Sequence, residues 1–218
     1  MAPCKTRRPA SDYGFRVDAE ARSRHRALRM HQPGPVKPTM PERSRLTQKP
    51  PTTFSLDRLS TPIGAALLVT DDDGVLRALD WEDHTPRMLD LLRRHYGAVV
   101  LKDGQAPAAM KAALSAYFNG DLDRLAEVGW RVAGTEFQRK VWAALPGIPA
   151  GQTMSYGAMA AQLQAPKAMR AVGHANGANP ISVVLPCHRL IGADGGLVKY
   201  GGGLMRKRWL LRHEGVEV

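Results

Sequence analysis

At 218 residues with 44% hydrophobic content, the chain is long enough for one sizeable core or two small ones. Its longest uninterrupted apolar run, residues 63–69, is far too short to cross a bilayer, so no membrane association is expected. Two cysteines, Cys4 and Cys187, exclude a disulfide framework, and without a CxxC pair no metal is expected. The net charge of +11 is unevenly spread: residues 1–53 carry 12 Lys and Arg against 4 Asp and Glu, residues 54–134 carry 9 against 12, and residues 135–218 carry 10 against 4. The basic final segment implies an anionic partner, with a merely solubilising surface as the alternative.

Taken in chain order, residues 1–53 hold 8 of the 16 prolines and show no apolar periodicity. They read as a disordered basic tail, able to add nonspecific DNA contact through counterion release. No apolar stretch follows the first basic residues, so no secretory leader is expected and the location should be cytoplasmic, or nuclear in a eukaryotic cell. Order should begin near Phe54. Residues 62–70 and 75–81 are strand-like and joined by Asp71-Asp72-Asp73-Gly74, a hairpin signal. A helix over 86–96, a strand over 98–102 and a helix over 107–118, stopped by Asn119-Gly120, complete a small N-terminal antiparallel-sheet and helix domain over 54–134. Residues 130–132 suggest one further strand. This segment gathers no chemistry, and its role reads as structural.

From residue 135 the pattern becomes mostly helical, giving an α+β chain whose C-terminal domain spans 135–218. Thr135 with Gln138 makes a capping box for a helix ending near Leu145, where Pro146-Gly147-Ile148-Pro149 breaks it. Ser155 caps a helix to about Leu163, residues 164–166 turn, and a third helix runs from Lys167 to about Gly177. Two short helices joined by a tight turn form a helix-turn-helix. The second is rich in Ala and Gly; Ala171 and Gly173 would let it approach a groove closely, and Arg170 is the long side chain able to reach in. The alternative is a small-residue helix packed tightly in a core. The β-branched run 181–185 reads as a short buried strand ending at Pro186, which would deliver Cys187 to a fixed turn beside His188 and Arg189. A base and a cation next to a thiol favour its reactive thiolate, although free cysteines are more often buried and inert.

These residues carry a family resemblance. Phe137-Gln138, Val141-Trp142, residues 148–153, Ser155-Tyr156-Gly157, Arg170-Ala171-Val172-Gly173, Asn179-Pro180, Pro186-Cys187-His188-Arg189, Tyr200, Gly202-Gly203, Trp209-Leu210-Leu211 and His213-Glu214-Gly215 follow one another as in the O6-alkylguanine-DNA alkyltransferases. The chain resembles that family strongly over residues 135–216 and more weakly over 54–134. The resemblance implies a single-use repair reaction on double-stranded DNA, by a monomer without cofactor, in which an O6-alkylguanine is flipped out and its alkyl group passes to Cys187. By the same resemblance His188 is the base acting through a water, Glu214 orients His188, Tyr200 hydrogen-bonds and helps protonate the guanine, and Asn179 braces the recognition helix against the active-site turn. Arg170 replaces the flipped base, Tyr156 crowds the phosphate, and Lys167, Ala171 and Gly173 belong to the DNA-facing surface. The main-chain carbonyls of Cys187 and Leu190, with the backbone of Gly201, meet the guanine. Gly201 stands where the family often has a small or hydroxyl residue, and Lys199 where it usually has Gly or another small one. Activity on O4-alkylthymine stays open.

Each of these residues also has a structural reading: Asn179 as a turn former before Pro180, Glu214 as a surface carboxylate, Tyr200 as a core aromatic. Arg206-Lys207-Arg208 reads as a solvated phosphate-facing patch, and His174 as structural. Two competing functions remain. A lesion sensor would require an inert Cys187. A cysteine hydrolase on Cys187 and His188 would require an oxyanion hole and no flipping arginine.

Overall fold

Four strands build a twisted sheet: β1 (Thr52–Thr61), β2 (Gly64–Thr70), β3 (Leu76–Trp81) and β4 (Val99–Asp103), in the order β3-β2-β1-β4. The structure is a computed structural model and describes residues 52–218. The expected tail therefore lies outside the described residues, except that Thr52 and Thr53 already belong to β1. Sequence reasoning missed β1 because it carries almost no burial pattern: of its ten residues only Phe54 is buried. Its neighbours define it instead. It pairs antiparallel with β2 from Ser55↔Thr70 to Thr61↔Gly64, and parallel with β4 from Thr52↔Val99 to Leu56↔Asp103. The sheet is thus mixed rather than wholly antiparallel, β4 returning parallel to β1 after a helical crossover.

That crossover is α1 (Thr85–Tyr96), which starts with Pro86 in its first turn and stops at Gly97, held at a φ of 78°. Met88, Leu91 and Leu92 recur at helical spacing on its buried face. Met88 and Leu92 close over Phe54, Leu67, Val69 and Ala78 on one side of the sheet. The other side receives α2 (Ala108–Phe118), through Met110, Ala113, Leu114 and Tyr117. The strand suggested over 130–132 is a single bridge: Leu76 N–H donates to Gly129 O and Arg131 N–H to Leu76 O.

The capping box forms as expected. Gln138 N–H donates to Thr135 Oγ1 (3.3 Å) and Thr135 N–H to Gln138 Oε1 (3.0 Å), opening α3 (Glu136–Ala144). Ser155 Oγ accepts from Ala158 N–H and opens α4 (Tyr156–Gln162), and a 3-10 turn at Pro166–Ala168 leads into α5 (Met169–Gly177). Immediately before α4 lies β5 (Met154–Ser155), parallel to β6 (Leu190–Ile191) just after the cysteine turn; α6 (Leu204–His213) follows. No propensity announces that two-residue ladder, yet it fixes the start of the helix-turn-helix against the segment carrying Cys187.

One apolar cluster joins these parts. It includes Leu68, Leu79 and Trp81 of the sheet, Tyr117 of α2, Val141 and Trp142 of α3, Ile181, Leu185, and Leu210 of α6, and so runs across residues 134 and 135. Residues 181–185 are not the expected strand. Ile181 bridges Leu79, but Ser182–Val184 then turn, with Val183 at a φ of +69°. The run is β-branched because it is buried, not because it pairs. The competing partner is Asn179, whose side chain takes over hydrogen bonds that a ladder would otherwise use. A β-branched residue in the left-handed region costs on the order of 1–2 kcal/mol, so this turn is held by its surroundings.

Candidate active site

Asn179 builds the turn that presents the cysteine. Its Oδ1 accepts from Ile181 N–H (3.0 Å), while its Nδ2 donates to Leu185 O (2.8 Å) and Ile181 O (3.3 Å). Cys187 N–H then donates to Leu185 O (2.7 Å), and residues Cys187–Arg189 wind into one 3-10 turn. Cys187 is 3% exposed. Its burial pushes the thiol above its ordinary value, against hydrogen bonding from Asn179 and the positive charges of Arg87 and Lys207, which favour the thiolate.

His188 and Glu214 are both fully enclosed, with His188 Nε2 2.9 Å from Glu214 Oε1. Arg189 grips the same carboxylate through Nε to Oε2 and Nη2 to Oε1, both 2.9 Å, and donates from Nη1 to Ile148 O (2.5 Å). Burial by itself would raise the Glu214 carboxyl; the hydrogen bonds and charges of His188 and Arg189 hold it down to about 2. An ionised carboxylate only accepts, so Nε2 of His188 carries the proton and Nδ1 carries the lone pair. That Nδ1 is buried and has no hydrogen-bond partner among the described residues. Desolvation also lowers the His188 imidazole, leaving it neutral and available as a base near pH 7. The Glu214 carboxylate thus fixes the ring of His188, the residue that follows Cys187 in the same turn.

Tyr200, 9% exposed, closes the site with its ring 6.5 Å from His188, and its hydroxyl has no partner among the described residues. It is placed by the close packing behind it. A Cβ on Gly202 would stand 2.5 Å from Trp81 Cδ1, and one on Gly201 would stand 2.5 Å from Arg87 Cζ. On the neighbouring α5, Val172, Ala175 and Asn176 face inward, while Arg170 and Ala171 are exposed and Gly173 half-exposed; Lys167, in the turn before it, is exposed as well. Arg170, Tyr156, Gly157, Gly173 and Lys199 line an open groove of about 960 Å³. His174, read as structural, is exposed and lines it too.

Several residues of the site escaped sequence reasoning. Asn176 Nδ2 donates to Cys187 O (3.2 Å) and lies 3.4 Å from Tyr156 Oη, tying the recognition helix to the cysteine turn. Lys207 is not part of a solvated patch. It is fully buried, its Nζ donates to Leu190 O (2.5 Å) and Val198 O (3.3 Å), and desolvation lowers its amine to about 8. Arg206 is likewise committed, to Asp83 and over the Trp81 ring at 4.8 Å, so only Arg208 of that triplet is exposed. Residues 54–134 also reach the site. Tyr117 donates to Glu214 Oε1 (2.7 Å), and Arg87, paired with the buried Asp80, donates to Gly177 O (2.9 Å) and Asn179 O (3.1 Å). Among the described residues no group of three or more His, Cys, Asp or Glu side chains is placed to hold a metal ion. No described helix is long and apolar enough to cross a membrane.

Residues 136–216 match the family model of the 6-O-methylguanine DNA methyltransferase DNA binding domain. A methylated-DNA–protein-cysteine methyltransferase of Salmonella typhimurium is 48% identical over 161 residues, covering 73% of this chain and 94% of its own. Among solved structures, the Mycobacterium tuberculosis OGT in complex with DNA superposes with a TM-score of 0.63 at 41% identity, over 74% of this chain and 93% of that one. The O6-methylguanine-DNA methyltransferase of Pyrococcus kodakaraensis, at 24% identity and a TM-score of 0.60 over 75% of this chain and 99% of its own, shares the fold. With that identity spread over nearly the whole Salmonella protein, the chain belongs to the methylated-DNA–protein-cysteine methyltransferase family.

Proposed function

We propose that this chain repairs alkylated double-stranded DNA by direct reversal, taking the alkyl group from O6 of a flipped guanine onto Cys187. The observation that carries this reading is the buried group of Cys187, His188 and Glu214, beside a helix on which Arg170 is the exposed long cation next to Ala171 and half-exposed Gly173. In the resting protein the thiol is protonated, shielded from solvent and oxidation. When a lesion enters, His188 Nδ1 takes the thiol proton through a water. The sulfur then attacks the alkyl carbon, the S–C bond forms as the C–O6 bond breaks, and the electron pair leaves on the guanine. The hydroxyl of Tyr200 supplies a proton to that base and regains one from the His188 imidazolium, so the net proton passes from thiol to guanine.

The remaining roles follow the same logic. Arg170 fills the vacated stack and Tyr156 crowds the phosphate, while Lys167, Ala171 and Gly173 form the surface that meets the groove. The carbonyls of Cys187 and Leu190 accept from Asn176 and Lys207, and each keeps a second lone pair for the guanine amino group. The backbone of Gly201 completes the guanine contacts. Asn179 braces the turn. The chain acts as a cytoplasmic monomer, with residues 54–134 supporting and residues 135–218 carrying the reaction. Because the thioether is stable, each molecule acts once.

The test is the intact mass of the protein after incubation with a duplex holding one O6-methylguanine, followed by peptide mapping. The expected result is one methyl on Cys187, saturating at one per molecule. Tight lesion binding with no mass change would instead support the sensor.

A further inference from the structure

We propose that Tyr117, in the last turn of α2, is a positioning residue for alkyl transfer: its hydroxyl locks the Glu214 carboxylate in the orientation that fixes the His188 tautomer. The inference rests on the reading of Cys187 as acceptor and His188 as its base.

The geometry is specific. Tyr117 is fully buried, and its one polar side-chain atom reaches across 97 residues of sequence to Glu214 Oε1 at 2.7 Å. That oxygen accepts from three donors, Tyr117 Oη–H, His188 Nε2–H and Arg189 Nη2–H, while Oε2 accepts from Arg189 Nε–H. Arg189 is itself tied to Ile148 O, so it cannot follow a turning carboxylate. Removing the phenol would take one of the three donors from Oε1 in a dry site and leave the tilt of the carboxylate to the arginine fork alone. The imidazole would then donate to an oxygen held by the fork alone, and its direction would be less sharply set. Its free Nδ1, which must face the thiol side, depends on that direction.

Tyr117 is also well anchored for such a role. Its ring packs edge-on against Phe118 at 5.2 Å and His213 at 5.1 Å, and its carbonyl lies 2.7 Å from His213 Nε2 and accepts from Gly120 N–H. α2 lies outside the matched segment 136–216, so the first half of the chain supplies part of the catalytic network.

A hydrogen bond to Glu214 also tunes its charge. The ionisable groups around the His188–Glu214 pair are Tyr117 from α2, Cys187 and Arg189 from the cysteine turn, Tyr200 from the following loop, and Lys207 with His213 from α6. Burial and the neighbouring carboxylate push the Tyr117 phenol far above its ordinary value, so it stays a donor at every working pH. Without it, Oε1 becomes more basic, the bond to His188 strengthens, and the imidazolium is stabilised. His188 then holds its proton to higher pH and is a poorer base below neutrality.

The experiment is the single-turnover rate of methyl transfer from an O6-methylguanine duplex over about pH 5 to 9, read by mass on Cys187. It compares the full chain with Tyr117→Phe and with 3-fluorotyrosine at position 117, which donates a stronger hydrogen bond. The acid midpoint should rise by about 0.5 in pH for Tyr117→Phe and fall for fluorotyrosine. A purely structural role would lower the plateau or the melting temperature and leave both midpoints where they are; that outcome overturns the proposal. Should Tyr117→Phe not fold, the fluorotyrosine protein decides alone, since it keeps the ring and the bond. If the unmodified chain itself gains no methyl on Cys187, the transfer reading fails, and the role of Tyr117 falls with it.

Discussion

The guanidinium carbon of Arg87 lies 2.5 Å from where a Cβ would stand on Gly201, so α1 fills the space that a side chain beside Tyr200 would need. Arg87 cannot swing away cheaply. It is the cation of the buried Asp80 and donates to the carbonyls of Gly177 and Asn179. Gly201→Ser should therefore displace Arg87 and cost about 2–4 kcal/mol in urea unfolding, together with slower transfer. Arg87→Ala, which strands the Asp80 carboxylate, should cost about 3–5 kcal/mol. In the double variant the two penalties should add to less than their sum, because the serine then occupies emptied space. Full additivity would show that residue 201 and Arg87 do not compete.

Asn179 supplies three hydrogen bonds to Ile181 and Leu185 and holds Val183 in the left-handed region. Asn179→Ala leaves an N–H and two carbonyls without those partners inside the protein. The expected loss is about 2–4 kcal/mol, with a transfer rate reduced at least tenfold because Cys187 is no longer fixed. Asn179→Asp keeps the acceptor for Ile181 N–H but places a carboxylate against Leu185 O, and should be no better. Thermal melts with single-turnover rates on the same samples check both.

How much of this was readable beforehand follows from the range of each interaction. Local signals held: Thr135 with Gln138, Ser155 before α4, and Asp71 to Gly74 between β2 and β3 depend only on neighbours in sequence. His188 and Glu214, which follow from the family pattern, meet at 2.9 Å, and Cys187 shares a 3-10 turn with His188. What stayed hidden depends on distant partners. β1 has one buried side chain and exists through its two neighbours; residues 181–185 looked like a strand because burial and pairing select the same residues. Lys207 and Tyr117 showed nothing in sequence because a lysine between two arginines reads as surface, and a tyrosine at a helix end reads as core. Only the folded chain reveals the carbonyls and the carboxylate that each one meets.

The exposed cations of α5 and of the turn before it separate two kinds of binding. Lys167 and Arg170 both face outward, but only Arg170 lines the groove beside Tyr156. Lys167→Gln should weaken binding to any duplex and reduce the salt slope by about 1. If Arg170 fills the vacated stack as proposed, Arg170→Ala should have a small effect on undamaged DNA and slow transfer from an O6-methylguanine duplex about tenfold or more. Salt titrations by fluorescence anisotropy, run beside single-turnover transfer, distinguish them. Equal losses in both assays for both variants would mean that Arg170 is only another phosphate contact.

Glu214 makes part of the stability acid-sensitive, with a sign that can be worked out. Its carboxyl falls from an ordinary 4.5 to about 2 in the folded protein, so between those values the unfolded chain binds more protons. The stabilisation is fully present above about pH 4.5 and is lost as pH falls toward 2, and it amounts to something on the order of 3 kcal/mol. His188 works in the same sense at higher pH, because burial lowers its folded value and acid must charge it. Glu214→Gln removes only the carboxylate contribution. It should be less stable than the native chain at pH 7, where Arg189 and His188 lose their anion, and the gap should narrow between about pH 4.5 and 2.5. Urea midpoints across that range give the measurement. A gap independent of pH would mean that Glu214 is not held ionised by its partners, and the assignment of the His188 proton to Nε2 would lose its basis.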